Sequence, residues 1–240
     1  MPKSGPWAGD GLRGGGLVTD DERRAWSGER VEMVRRQIAA RGVLDERVLE
    51  AMRTVPREVF VPEHEHERVC MDGPLPIGHG QTISQPYIVA LMLELLELKP
   101  SDRVLEVGSG SGYATAVMSR LVRSVVGIER HGDLAREASA RLASLGYDTA
   151  RIVHGDGTTG WAEGAPYDAI LVSAAAGDGV PAALLGQLAV GGRLIVPVVV
   201  DEKRQRLVRV RRVAGDQYKR EELGAVSFVP LVEGIPELGE

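Results

Sequence analysis

The stretch R-V-L-E-V-G-S-G-S-G-Y, Arg103 to Tyr113, decides the fold. Val104, Leu105 and Val107 make a short apolar run that Gly108, Gly110 and Gly112 interrupt, and Ala114 to Leu121 takes up helical spacing. The pattern is strand, glycine turn, helix. Alternate glycines let the backbone reach positive φ and leave no Cβ between the loop and a ligand, and the helix N-terminus offers unpaired N–H groups. A dinucleotide fingerprint needs its third glycine, or an alanine, one position later, where this chain has Tyr113. The spacing favours S-adenosylmethionine over NAD.

Downstream, Val125 to Ile128 reads as the next strand and ends at Glu129, on the same sheet edge as the glycine turn. A carboxylate there can accept both ribose hydroxyls. Ile152-Val153 opens a third strand that runs into His154-Gly155-Asp156-Gly157, a second acidic loop at a strand end. Asp168 to Val172 is a fourth, followed by the small-residue loop Ser173 to Gly177, a helix opened by Pro181, a turn at Gly191-Gly192 and a strand from Leu194 to Val198. Alternating strands and helices predict an α/β fold with a doubly wound, mostly parallel, Rossmann-like sheet. Leu207 to Val213 and Ala225 to Leu231 alternate with no helix between them and are expected to form an antiparallel C-terminal pair.

Upstream lies L-P-I-G-H-G-Q-T-I-S-Q-P-Y, Leu75 to Tyr87, whose prolines and glycines argue against regular structure. It leads into a helix opened by Pro86 and continued by Val89, Leu91, Met92, Leu95 and Leu96. A polar loop at a helix N-terminus suits an anion; the alternative is that Thr82 and Ser84 cap the helix. Val31, Val34 and Ile38, then Val48, Leu49 and Met52, fall at helical spacing around Gly42 and predict two short amphipathic helices forming an N-terminal cap. Met1 to Thr19, rich in glycine, reads as a flexible leader. The expected organisation is a leader over 1–25 and one domain over 26–240. Within it, 26–85 holds helices and a substrate loop, 86–200 the cofactor-binding core and 201–240 the C-terminal strands.

The 240 residues, with net charge −5 and 43% hydrophobic content, suit one globular domain. The mild acidity gives no footprint for nucleic acid. With no apolar run of about 20 residues and no cleavable signal, neither export nor membrane spanning is expected. Cys70, the single cysteine, permits no internal disulfide and fits a reducing cytoplasm; it reads as a half-buried thiol rather than a nucleophile. His64 and His66 in H-E-H have no supporting cluster, so no metal is expected. The chain is expected to be a monomer.

Several ordered blocks resemble the protein-L-isoaspartate O-methyltransferase family: Val55-Pro56-Arg57-Glu58, P-I-G-H-G-Q-T-I-S-Q-P-Y, E-V-G-S-G-S-G-Y, H-G-D-G, A-P-Y-D-A-I-L-V and F-V-P-L, spanning about Val31 to Gly234. The T-I-S-x-P block is the most specific, since many methyltransferases share the glycine loop. The resemblance implies a class I methyltransferase fold and methyl transfer from S-adenosylmethionine to the free α-carboxylate of isoaspartyl residues in damaged proteins and peptides, releasing S-adenosylhomocysteine. It further implies that Ser84 is the active-site serine and that Gln81, Thr82 and Ile83 wrap the cofactor. By the same resemblance Gly108, Ser109, Gly110 and Gly112 hold the methionine side, Glu129 the ribose, and Asp156 with Gly157 the adenine. Val229, Pro230 and Leu231, with Thr82 and Ser84, are implied to meet the substrate. Cys70 stands where the family leads one to expect an aromatic residue, and His79 fills a variable slot. A methyltransferase for RNA or a small molecule, or a non-catalytic cofactor-binding module, are the competing readings; the first has no reason for the T-I-S block, and cofactor binding without methyl transfer would single out the second.

Overall fold

In a computed structural model of the chain, residues 20–177 and 179–236 are described. The stretch 1–19 expected to be a leader lies outside them. Helix α1 (Asp20–Met33) already occupies the end of the 1–25 interval. It continues through a π turn (Val34–Ile38) and a 3₁₀ turn (Ala39–Arg41) to Gly42, whose φ of 94° ends the run. Helix α2 (Glu46–Thr54) is capped by the Asp45 carboxylate, which accepts from Arg47 N at 2.9 Å. The two-helix cap is present, with one change of face: Met33, Val34 and Ile38 point inward, whereas Val31 is 47% exposed.

The sheet is built from β3 (Arg103–Val107), β4 (Ser124–Glu129), β5 (Ala150–His154), β6 (Tyr167–Val172), β7 (Leu188–Asp201), β8 (Arg204–Ala214) and β9 (Gln217–Val226). Its order is β5-β4-β3-β6-β7-β8-β9, parallel from β5 to β7 and antiparallel beyond. Strand order reverses at β3, which places a crevice at its carboxyl end. Helices α3 (Pro86–Leu95), α4 (Tyr113–Ser119) and α5 (Gly132–Ser144) share one apolar cluster with the cap; α6 (Ala182–Gln187) joins the cluster on the other face. Alternation along the strands feeds both faces. Val104, Ala169, Leu171 and Ile195 face the cap, and Leu105, Val107, Ile170, Val172, Leu194 and Val196 face α6.

Two expectations need correction. Leu75 to Tyr87 is not irregular: β1 (Leu75–Gly78) and β2 (Gln81–Ile83) pair as an antiparallel hairpin around His79-Gly80. Both turn residues, His79 and Gly80, have positive φ, 52° and 65°, as a two-residue hairpin turn requires, so a glycine that argued against structure helps supply the turn. The last strand is β9, Gln217–Val226, not Ala225 to Leu231. Its Lys219-Arg220-Glu221-Glu222 run is what a protected sheet edge carries, and an apolar alternation misses it. Residues Val229 to Leu231 instead cross to the loop after β6, where Ala175 N donates to Val229 O and Leu231 N to Ala175 O, each at 2.8 Å. Gly191, with φ of 80°, sits within β7 beside the irregular part of its pairing to β6.

Candidate active site

Gly108, Gly110 and Gly112 all have positive φ, at 81°, 53° and 87°. Gly108 N and Ser109 N both donate to Ile128 O, at 2.9 and 3.0 Å, and so fasten the loop to β4. The β1–β2 hairpin lies over the loop: a Cβ on Gly110 would stand 2.9 Å from Ile77 Cδ1. Gly112 has a packing role, since a Cβ there would come 3.3 Å from Ala138 Cβ on α5. Ser109 is buried, its Oγ facing Gly127; a Cβ on Gly127 would lie 2.3 Å from that oxygen.

Three crevices meet at Thr82 and Ser173, and the loop lines two of them. The innermost, about 480 Å³ of empty space, is lined by Ile83, Ser84, Glu106, Ser109, Tyr113 and the loop glycines Gly108 and Gly110. A second, about 660 Å³, is lined by Gln81, Glu129, His131, Gly157 and the Val229–Pro230–Leu231 crossing. A broad outer groove, about 1760 Å³, runs past Ser84, Tyr87, Phe228 and Val229. Thr82 and Ser173 line all three, and Ser84 joins the innermost to the outer groove. Thus the hairpin, the glycine loop, the end of β6 and the C-terminal crossing converge on one place.

The acidic groups differ in state. Glu129 is 4% exposed; its two oxygens accept from Gly110 N at 2.8 Å and His131 N at 2.9 Å, so it ties the glycine loop to the end of β4. Glu106 is buried on the cap face of β3, accepting from Thr115 Oγ1 and, at 3.1 Å, from Ser173 Oγ. Burial pushes its carboxyl up to about 7; the two hydroxyl contacts pull it down, and the charge of Glu129 pushes it further up. Asp156 lines none of the three crevices, although Gly157 does. Its carboxylate caps the next turn, accepting from Thr158 N at 2.8 Å and Thr158 Oγ1 at 2.7 Å, and accepts from Gly234 N at 2.8 Å. Burial raises its pKa, but the Gly234 and Thr158 contacts outweigh this and the net shift is downward.

Thr82 and Ser84 do not cap α3, whose N-cap is Gln85 with no side-chain capping bond. Among the described residues neither hydroxyl has a protein hydrogen-bond partner, which leaves both available in the crevices. Burial raises the Cys70 thiol to about 11, the reverse of what a nucleophile needs. Glu106, Ser173 and Tyr113 are site residues that the sequence reading passed over. One signal was present: a charged residue inside R-V-L-E-V, a strand buried on both faces, is costly unless it is used.

S-adenosylmethionine carries a ribose diol, an adenine and cationic sulfonium and ammonium groups. Cβ-free backbone at Gly108 and Gly110 beside two buried carboxylates is a donor set that fits such a ligand. The family model for protein-L-isoaspartate(D-aspartate) O-methyltransferase matches residues 29–235. Protein-L-isoaspartate O-methyltransferase 1 of Rhodopseudomonas palustris (strain HaA2) is 53% identical over 212 residues, 88% of this chain and 86% of the relative. Protein-L-isoaspartate O-methyltransferase of Pelotomaculum thermopropionicum is 54% identical over 220 residues, 92% and 94% of the two chains. A Plasmodium falciparum protein-L-isoaspartate O-methyltransferase, solved in complex with S-adenosyl-L-homocysteine, superposes with a TM-score of 0.74 at 30% identity, covering 85% of this chain and 99% of its own. Matches of this length and identity show that the chain belongs to the protein-L-isoaspartate O-methyltransferase family.

Proposed function

We propose that the chain methylates the free α-carboxylate of L-isoaspartyl residues in damaged proteins and peptides, with Ser84 positioning that carboxylate. The observation that carries this reading is the junction at Ser84, one side chain that lines both the crevice beneath the hairpin and the broad outer groove. When bound, S-adenosylmethionine supplies an activated methyl group. Gln81, Thr82 and Ile83 of the hairpin, with Gly108 and Gly110, hold its methionine side. Glu129 faces the ribose and the Gly157 backbone the adenine; Asp156 acts through the loop that it holds. The outer groove takes the peptide, with Val229 on its wall and Pro230 and Leu231 continuing from it into the second crevice. The single cysteine, which permits no internal disulfide, fits a cytoplasmic enzyme.

An α-carboxyl has a pKa of about 3.3 to 3.7 in model peptides, so at neutral pH the acceptor is ionised and needs no general base. The protein's task is orientation, which is worth roughly 7 to 11 kcal/mol when reacting groups are held close. The Ser84 hydroxyl donates to one carboxylate oxygen and leaves the other free to receive the methyl group. Discrimination follows from chain geometry. In an isoaspartyl linkage the main chain runs through the side-chain carbonyl, leaving the α-carboxylate on a shorter arm, whereas a normal aspartate presents its carboxylate one bond further out. A misplacement of about 1 Å costs on the order of a hundredfold in rate. Methyl transfer to paired isoaspartyl and aspartyl versions of one unstructured peptide is the test. The isoaspartyl version should react at least about a hundredfold faster, and equal rates would overturn the reading.

A further inference from the structure

Arg57 opens the 3₁₀ turn Arg57–Phe60, and its side chain is fully buried. Among the described residues its guanidinium has no carboxylate partner. The adjacent Glu58 turns instead to Arg30, at 2.5 Å. Arg57 Nε donates to Val69 O at 3.0 Å and Nη2 to Ser84 O at 2.8 Å. The guanidinium lies over the Tyr113 ring, with Cζ 4.8 Å from its centroid, while Nη1 has no hydrogen-bond partner among the described residues. A buried cation without a counter-ion is an expensive way to fill space, and an apolar side chain of similar size would usually serve stability better. What the cation gains is a fixed grip on one carbonyl. That carbonyl belongs to Ser84, and the ring under the cation belongs to Tyr113, which lines the same inner crevice.

We infer that Arg57 is a positioning residue for the methyl transfer, holding the Ser84 main chain from behind so that its hydroxyl meets the acceptor carboxylate. The inference rests on the assignment of Ser84 to the acceptor given above. Ser84 stands between the end of β2 and the start of α3, where no ladder bond fixes its carbonyl. Without the guanidinium the Ser84–Gln85 peptide plane can pivot, and the hydroxyl moves with it. The planar fork grips two carbonyls, Val69 O and Ser84 O, at once. A lysine ammonium at the end of a flexible stem cannot reproduce that geometry. The effect falls on turnover rather than on cofactor binding, because Glu129 and the glycine loop are held by separate contacts.

The test is a double-mutant cycle in the full-length enzyme, comparing Arg57→Lys, Ser84→Ala and the double variant. It measures kcat and KM for an isoaspartyl peptide, cofactor Kd by calorimetry, and thermal melts. Ser84→Ala alone is expected to lower kcat about tenfold to a hundredfold, the loss of an orienting group. Arg57→Lys should lower kcat by a similar factor and leave cofactor Kd within about twofold; added to Ser84→Ala it should cost less than about twofold more. If Arg57→Lys lowers kcat by the same factor in both backgrounds, it acts elsewhere and the inference is overturned. Unchanged kcat in Arg57→Lys, or a loss of cofactor affinity matching the loss of kcat, overturns it as well. Full activity in Ser84→Ala would instead remove the role given to Ser84, a distinct failure. Where Lys lowers the melt below assay temperature, Arg57→Gln at a lower temperature completes the same cycle. If neither replacement folds, Arg57 is a folding residue and the positioning role is rejected.

Discussion

Glu106 sits in a strand whose neighbours are apolar, and its burial sets a pH dependence that can be measured. Its pKa rises from an ordinary 4.5 to about 7 in the folded chain, so as pH climbs the unfolded chain gives up this proton first. The resulting stability is complete below about pH 4.5 and is lost as pH rises through about 7. Glu106→Gln cannot ionise. Without cofactor, it should exceed wild type in stability by on the order of 3 kcal/mol at about pH 8, with the gap closing toward acid pH. Urea melts across that range check this, and a gap that does not change with pH would contradict it. Glu129 does a different job, binding Gly110 and His131 through their backbone N–H groups. Glu129→Ala should weaken cofactor binding by roughly 1.5 to 3 kcal/mol, the range for hydrogen bonds to a charged group. Unchanged affinity by calorimetry would remove Glu129 from the ribose.

At the level of elements, the β1–β2 hairpin is what brings Thr82 and Ser84 over the glycine loop. Its turn carries His79 at a φ of 52°, a conformation in which Asn-Gly is the favoured pair. The imidazole rests against His131, with ring centroids 5.2 Å apart. Relief of the left-handed strain by His79→Asn is expected to stabilise the protein by about 0.5 to 1 kcal/mol. A fall in the urea midpoint would show that the contact with His131 outweighs the turn.

For the whole molecule, the buried pair Arg193–Asp102 joins β7 to the chain between α3 and β3. Arg193 also donates to Leu96 O, to Asp168 O at 2.9 Å and to Glu97 O at 2.6 Å, so one guanidinium gathers the end of α3 and two strands. Arg193→Met strands the Asp102 charge and should cost about 3 to 5 kcal/mol in urea unfolding. Adding Asp102→Asn, which keeps an acceptor for Lys99 N, should recover part of that loss. A double variant no more stable than the single one would mean that the carbonyl contacts, not the charge pair, carry the effect.

The sequence by itself determined the parallel sheet, the glycine loop after β3 and the acidic residue after β4, because each is written in local periodicity and turn chemistry. It also singled out the T-I-S block, although it misread the prolines and glycines around it as barring a hairpin. Only the tertiary structure decided that Ser173, Tyr113 and Arg57 belong beside Ser84, since they come from the end of β6, the start of α4 and a buried 3₁₀ turn. It likewise moved the last strand to a charged edge and turned Val229 to Leu231 into a crossing that walls the site. Local patterns record what each segment does to its own backbone. Which side chains share a crevice depends on strand order and on contacts between residues far apart in the chain, and no spacing within one segment carries that information.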